Sequence, residues 1–209
     1  DLERIFFMKD DDRYEVIIRN LNKSYGKLSV FTDLSLNFLK DRITVVFGPS
    51  GCGKTTLLNI ISGIEKDYNG EVYLQSNKIS YVFQEDRLIS HLDVYENVAF
   101  VLKSNMNKNK VQSTVNRFLN MVELWDCRDK FPRELSGGMK RRVALARAFA
   151  YDSDLLLMDE PFKGLDSRLK GDIINKFLLL YRENKRTVIL VTHDKEEANK
   201  LGDIIYSLD

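Results

Sequence analysis

The stretch FGPSGCGKTTLLN, residues 47–59, constrains this chain more than any other. It follows directly on the apolar run ITVVF (43–47) and leads at once into the helix-like TTLLNIISGI. Glycine gives up the most backbone freedom on ordering, so it is costly inside strands and helices. Glycines at 48, 51 and 53, at the joint between a strand and a helix, predict a backbone that wraps something. Gly48, four residues, then Gly53-Lys54-Thr55 matches G-x-x-x-x-G-K-[ST], the spacing of a phosphate-cradling loop. The predicted contacts run over Gly48, Pro49, Ser50, Gly51, Cys52, Gly53, Lys54, Thr55 and Thr56, chiefly through backbone N–H groups that converge on anionic oxygens. The helix starting near Lys54 adds its positive end to the same point. Lys54 is expected to reach the β- and γ-phosphates, and the Thr55 hydroxyl to ligate Mg²⁺. A glycine-rich turn that merely precedes a helix is the plain alternative, and the strand–loop–helix context speaks against it. Cys52 is expected to contribute only its backbone.

At 209 residues the chain has room for one domain, or one domain with a sizeable insertion. A formal net charge of +1 makes no general electrostatic case for nucleic acid. No apolar run approaches the length of a membrane span. Cys52 and Cys127, the only cysteines, offer neither a disulfide framework nor a metal cluster, which fits a reducing compartment. The opening DLERIFFMKDDD lacks the long uncharged region of a secretory signal, and Met8 within it is a candidate start.

Runs of branched aliphatics recur at EVIIR (15–19), ITVVF (43–47), YVF (81–83), DLLLMD (154–159) and TVILVT (187–192). Several are apolar on both faces, as in a parallel sheet covered by helices. Helical patterns such as DSRLKGDIINKFLLLYREN alternate with them, which predicts a layered α/β fold. The interval from about 85 to 150 holds no convincing strand and reads as an inserted helical subdomain. The expected division is a core at about 13–84 and 151–209, with the helical part at about 85–150.

Two further motifs carry chemistry. LLLMDEP (155–161) is an apolar run ending in adjacent carboxylates. A strand buried on both faces would deliver Asp159 at its carboxyl end, where ligands gather in open α/β sheets and where it can hold Mg²⁺. Glu160 could then orient and deprotonate a water; acids facing solvent in a turn are the alternative. LSGGMKRRVALARAFA (135–150) places two glycines before an amphipathic helix. This is either a second anion site or a capping turn with Ser136 as the cap.

Taken in order, GPSGCGKTT, LSGGM, LLLMDEP, GLD (164–166) and TH (192–193) resemble the ATP-binding cassette (ABC) ATPases over nearly the whole chain. The resemblance implies a P-loop fold of the ABC type: a mainly parallel sheet flanked by helices, an antiparallel β part and an inserted helical subdomain. It also implies two cassettes that sandwich two ATP molecules, with Ser136, Gly137 and Gly138 of one closing on the γ-phosphate held by the other. Position by position, it implies that Tyr25 stacks on adenine and that Gln84 senses Mg²⁺ and water. Asp166 would be the loop acid between cassettes, and His193 would contact the γ-phosphate. The implied cofactors are ATP and Mg²⁺. The implied partners are a second ABC ATPase subunit (a homodimer or a paired homologue), transmembrane permease subunits and, indirectly, a solute-binding protein, at the cytoplasmic face of the membrane. The segment Glu85–Asn97 would receive a short helix from the membrane subunit.

SYVFQEDRLISHLDVYENVAF and SGGMKRRVALARA are most similar to the nitrate/sulfonate/taurine group of importer ATPases. Ser90 and His91 stand where that group often has proline–tryptophan. The expected function is therefore an ATP-hydrolysing subunit that powers a bacterial importer of a small anion or sulfonate-like solute. An exporter-type ATPase shares the same chemistry. A cytosolic ABC ATPase of DNA repair or translation would bring long coiled coils or a second cassette. A small-molecule P-loop kinase would have no use for LSGG.

Overall fold

The structure is a computed structural model that describes residues 12–208. The candidate start Met8 lies outside the described residues. In chain order the elements begin β1 (Tyr14–Tyr25), β2 (Leu28–Leu39), β3 (Ile43–Phe47), α1 (Lys54–Ile61), β4 (Asn69–Leu74) and β5 (Ile79–Val82). Helices α2 (Val94–Ala99), α3 (Lys108–Met121) and α4 (Gly137–Ala150) follow. The chain then runs through β6 (Leu155–Asp159), α5 (Ser167–Glu183), β7 (Thr187–Thr192), α6 (Lys195–Leu201) and β8 (Ile204–Ser207). Contacts group these into two compact units. Among the described residues, one contains 12–79, 154–159 and 185–208; the other contains 80–153 and 160–184.

The first unit contains a parallel sheet with the strand order β6-β7-β3-β8. Strands paired on both edges and covered on both faces read as near-continuous apolar runs, and β6 and β7 are buried at every position. β3 pairs with β7 on one side and with β8 on the other. Leu57, Leu58, Ile60 and Ile61 of α1 and Ala198 and Leu201 of α6 are buried, α1 packing against β6 and β7 and α6 against β3 and β7.

An antiparallel sheet with the order β2-β1-β4 completes this unit. β1 and β2 form a hairpin across Gly26-Lys27, with Tyr25 opposite Leu28 and Gly26 at φ 59. The left-handed conformation at a two-residue loop is the geometry that matches the twist of the flanking strands. Phe38 of β2 is fully buried and meets Tyr206 of β8 edge-on, with ring centroids 5.9 Å apart. The Tyr206 hydroxyl donates to the Asn37 carbonyl at 2.8 Å. Sequence periodicity had marked neither β2, β4 nor β8. All three alternate exposed and covered positions over short or polar stretches such as LSVFTDLSLNFL and NGEVYL, so no continuous apolar run announces them.

The second unit is helical apart from the residues of β5 that it contains. α4 runs through it, in contact with α2 and α3. Phe149 of α4 stacks on Phe177 of α5 at 5.0 Å between centroids. Leu102, Leu119, Leu124 and Leu145 are almost wholly buried. Within the helical interval, VYENVAFVLKS supports only the short α2 before turning. α2 is well anchored at its start. The Asp93 carboxylate accepts from Glu96 N at 2.7 Å, and the Glu96 carboxylate accepts from Asp93 N at 3.4 Å, a reciprocal cap.

Asn97, wholly buried, builds the loop ahead of that helix. Its Nδ2 donates to the carbonyls of Ile89, Leu92 and Asp93 at 3.1, 2.9 and 2.9 Å, and its Oδ1 accepts from Ile89 N at 2.9 Å. Removing one side chain would strand several buried backbone groups at once. Asn97→Ala is therefore expected to cost about 2–3 kcal/mol of stability in urea titration. A loss of a few tenths would mean that the loop finds other partners.

Candidate functional site

The loop from Gly48 to Gly53 leaves the carboxyl end of β3 and enters α1 directly. Two glycines are required there by packing. A Cβ at Gly48 would sit 2.3 Å from the Leu208 carbonyl oxygen and 2.8 Å from Cys52 Sγ. At Gly53 it would sit 2.6 Å from Val30 and 2.8 Å from Phe31, at φ 99. Gly51 has open space around it, and only its φ of 88 excludes a side chain. The Lys54 side chain is buried and curls back, its ammonium donating to the carbonyls of Gly48 at 2.8 Å and Pro49 at 2.6 Å. Cys52 Sγ lies 3.9 Å from the same nitrogen. The loop is thus closed around its own cation. Pro49, Ser50 and Gly51 are exposed along it, and Cys52, Gly53 and Thr56 half-buried.

Thr55 Oγ1 donates to Asp159 Oδ2 at 2.7 Å. Thr55 opens α1 and Asp159 ends β6, so the packing of α1 on β6 brings together residues that are far apart in sequence. Asp159 is almost completely buried. A hydroxyl and a carboxylate at this separation are two hard oxygen donors, the set that suits Mg²⁺, which keeps several waters and takes few protein ligands.

His193, exposed, follows β7. Its neighbours are pinned. Thr192 Oγ1 donates to the buried Glu197 at 2.9 Å and accepts from Asp194 N at 3.0 Å. Asp194 caps α6 by accepting from the backbone of Glu196 and Glu197. Tyr25, half-exposed, closes β1 within a separate cluster. Its hydroxyl donates to Glu65 at 3.0 Å, and the Lys23 ammonium lies 4.4 Å from its ring centroid. Lys23 pairs in turn with Glu65 and Asp67 at 3.2 and 3.3 Å. The Asp67 backbone N–H, the Tyr25 hydroxyl and the Lys23 ammonium hold the Glu65 carboxyl below its ordinary range.

In the second unit Glu160 is 8% exposed and has φ 44, a left-handed conformation that costs a non-glycine residue roughly 1–2 kcal/mol. Its carboxylate lies 3.3 Å from the Lys163 ammonium. The exposed Gln84 follows β5 and Phe83. Arg141 ties these two segments together. Its Nη1 donates to the carbonyls of Phe83 and Gln84, Nη2 to Glu160 at 2.6 Å and Nε to Pro161 at 2.9 Å. Burial pushes the Asp86 carboxyl above its ordinary range, and Arg141, 3.5 Å away, pulls it back.

Ser136 accepts from Met139 N at 3.3 Å and so caps α4, while Gly137 and Gly138 form its first turn. The exposed Asp166 likewise caps α5, accepting from Leu169 N at 3.0 Å. Of the residues singled out from the sequence, Lys54, Gly48 and Pro49 share one network, and Thr55 and Asp159 a second. Gln84 and Glu160 join through Arg141. Tyr25, Ser136 and Asp166 each sit in a local network of their own, and His193 lies between the pinned Thr192 and Asp194. Arg141 and Glu197 were missed by sequence reasoning. Each is a charged residue within a helical pattern rich in charge, and only burial sets it apart.

A family model described as ABC transporter matches residues 31–163, and the chain belongs to this family. Among relatives, the Fe(3+) ions import ATP-binding protein FbpC 2 of Haemophilus influenzae is 37% identical over 203 residues, covering 90% of this chain and 57% of that protein. The sulfate/thiosulfate import ATP-binding protein CysA of Escherichia coli is 38% identical over 201 residues, covering 89% and 55%. The chain thus spans a little over half the length of these relatives. Among solved structures, a dimeric post-hydrolysis state of the ATP-binding cassette MJ0796 bound to ADP and Pi superposes with a TM-score of 0.84 at 32% identity. That match covers 93% of this chain and 94% of the other. The fold expected from the motifs, a P-loop fold of the ABC type, is the fold observed.

The two glycine constraints separate cleanly in stability. Gly51→Ala meets only the backbone penalty, about 1–2 kcal/mol. Gly48→Ala drives a Cβ into a backbone carbonyl and should cost more, on the order of 3 kcal/mol. Urea midpoints of the two variants compare them directly; equal losses would mean that the chain after β8 moves aside freely.

Proposed function

We propose that this chain is the ATP-binding, ATP-hydrolysing part of an ABC transporter that works as an importer. The observation that carries the reading is the Thr55–Asp159 pair, 2.7 Å apart and directly after the Lys54 loop, in a member of the ABC family. The nucleotide's phosphates bind the backbone N–H groups of the loop from Gly48 to Thr56. Lys54 exchanges its loop carbonyls for β- and γ-phosphate oxygens. Thr55, Asp159 and the Gln84 side chain would hold Mg²⁺, and the ion would supply positive charge beside the β- and γ-phosphates. Glu160 accepts the proton of the attacking water, and His193 and Gln84 contact the γ-phosphate and that water. The adenine stacks on Tyr25, whose ring is half exposed.

The second cassette is a copy of this chain or a paired homologue. Gly137 supports this reading. It has ordinary helical geometry, and beyond its chain neighbours and its own helix backbone nothing lies within 4 Å of the place a Cβ would take, so packing against the rest of the described chain does not ask for glycine. Close approach of the partner's nucleotide to the Ser136–Gly138 turn does ask for it, with Asp166 facing the same junction. The nucleotide core corresponds to about 13–84 and 151–209, and the helical part, about 85–150, meets the permease. The named relatives import Fe(3+) ions and sulfate or thiosulfate, which supports import. Among solutes a small anion, with a sulfonate as the finer form, fits the motif resemblance. Among the described residues no helix is long and apolar enough to cross a membrane. Attachment at the cytoplasmic face through permease subunits, served by a solute-binding protein, accords with that.

Glu160→Gln should keep ATP binding and lower hydrolysis about 10²–10⁴-fold, the usual worth of a positioned general base. Near-normal turnover of the purified variant would remove Glu160 from that role. Ser136→Arg should abolish hydrolysis yet leave nucleotide binding by the monomer intact. Mixing it with Lys54→Ala should restore one composite site, built from the intact loop of the first and the intact Ser136–Gly138 turn of the second. Loss of ATP binding in the Ser136→Arg monomer would contradict the arrangement across two subunits.

A further inference from the structure

We propose that Arg141 is a positioning residue for hydrolysis, one guanidinium that sets the backbone of both Glu160 and Gln84. The inference rests on the reading of those two residues as the groups that handle the attacking water. Arg141 is 4% exposed, on the second turn of α4. A guanidinium offers five donors in a rigid planar fork, and here the fork is spent largely on main-chain carbonyls. Two of these belong to the Glu160–Pro161 turn and two to Phe83–Gln84. Burying a cation is costly, and here the Asp86 carboxylate and four carbonyls offset that cost. The same bonds fix the geometry of the two segments.

Both targets need such fixing. A non-glycine residue at φ 44 persists only where its surroundings over-determine it. Arg141 bonds the carbonyl of that residue and of the next, which aims the Glu160 side chain. Gln84 is exposed, so its side chain has little packing to place it and depends on its backbone. A shift of the guanidinium would displace both residues together, and misplacement by about 1 Å is enough to slow a positioned reaction on the order of a hundredfold. Arg147 holds the following carbonyls of Asp86 and Arg87 at 3.2 and 3.0 Å, so the segment keeps a second tether when Arg141 is replaced.

The test compares Arg141→Ala with the parent and repeats the comparison in a Glu160→Gln background. In the parent, kcat for ATP should fall about tenfold or more while KM stays within about twofold. In the Glu160→Gln background the same change should add a clearly smaller loss than in the parent, because one of the two groups it positions is already disabled. Hydrogen exchange should quicken at the amides of 84–87 and 161–165 and stay unchanged in α3. Equal loss in both backgrounds, a change in KM with kcat preserved, or unaltered exchange would each overturn the proposal. Should Arg141→Ala fail to fold, Arg141→Gln, which keeps an amide donor at the same place, carries the same comparison. If the parent protein does not hydrolyse ATP, the functional reading fails, and the exchange measurement alone still decides whether Arg141 restrains the two segments.

Discussion

The interaction on which the first unit depends is the pairing of β3 on both edges, with β7 on one side and β8 on the other. A strand enclosed in this way can satisfy its backbone only within the ladder and carries mostly apolar side chains. No group that binds a ligand has room there. Chemistry is displaced to the carboxyl ends of the strands, where the ladder stops and N–H groups come free. The loop from Gly48 follows β3, Asp159 closes β6, and Thr192 closes β7 with His193 directly after it. The buried Glu197 extends the same logic one step outward, holding Thr192 while α6 starts beneath its cap.

The second unit is organised differently, around one helix that carries apolar and cationic residues together. Val143, Leu145 and Phe149 of α4 are buried, and so is Arg141. Long basic side chains on a buried helix reach past their own turn and end on carbonyls that would otherwise lack partners. Arg142 donates to Val122 and Glu123, Arg147 to Asp86 and Arg87, and Arg141 to the two segments described above. α4 therefore holds irregular chain with arginines as much as it packs helices. Its amino end, capped by Ser136, opens with two glycines that the chain's own packing does not require.

Legibility followed the range of the interaction. Strands β3, β6 and β7 were visible as continuous apolar runs, because burial on both faces leaves that trace in sequence. Strands β2, β4 and β8 were not, since one covered face in a short or polar segment leaves no comparable trace. Ser136 stood out through its motif with capping as one of its two readings, and the structure shows that cap, whereas the service of Asp166 as a helix cap came only from the structure. Arg141 is one basic residue in MKRRVALARA, indistinguishable there from Lys140 and Arg142.

The sequence by itself determined the phosphate loop, because the loop's requirement is local. Glycine spacing, a preceding apolar strand and a following helix all lie within some twenty residues, and the backbone order they impose needs nothing distant. Only the tertiary structure decided that Thr55 meets Asp159 across 104 residues, and that Glu160 and Gln84 share one guanidinium. Those meetings depend on which strand lies under α1 and on how deeply α4 is buried. Such facts are settled by packing of the whole core, and no local periodicity records them.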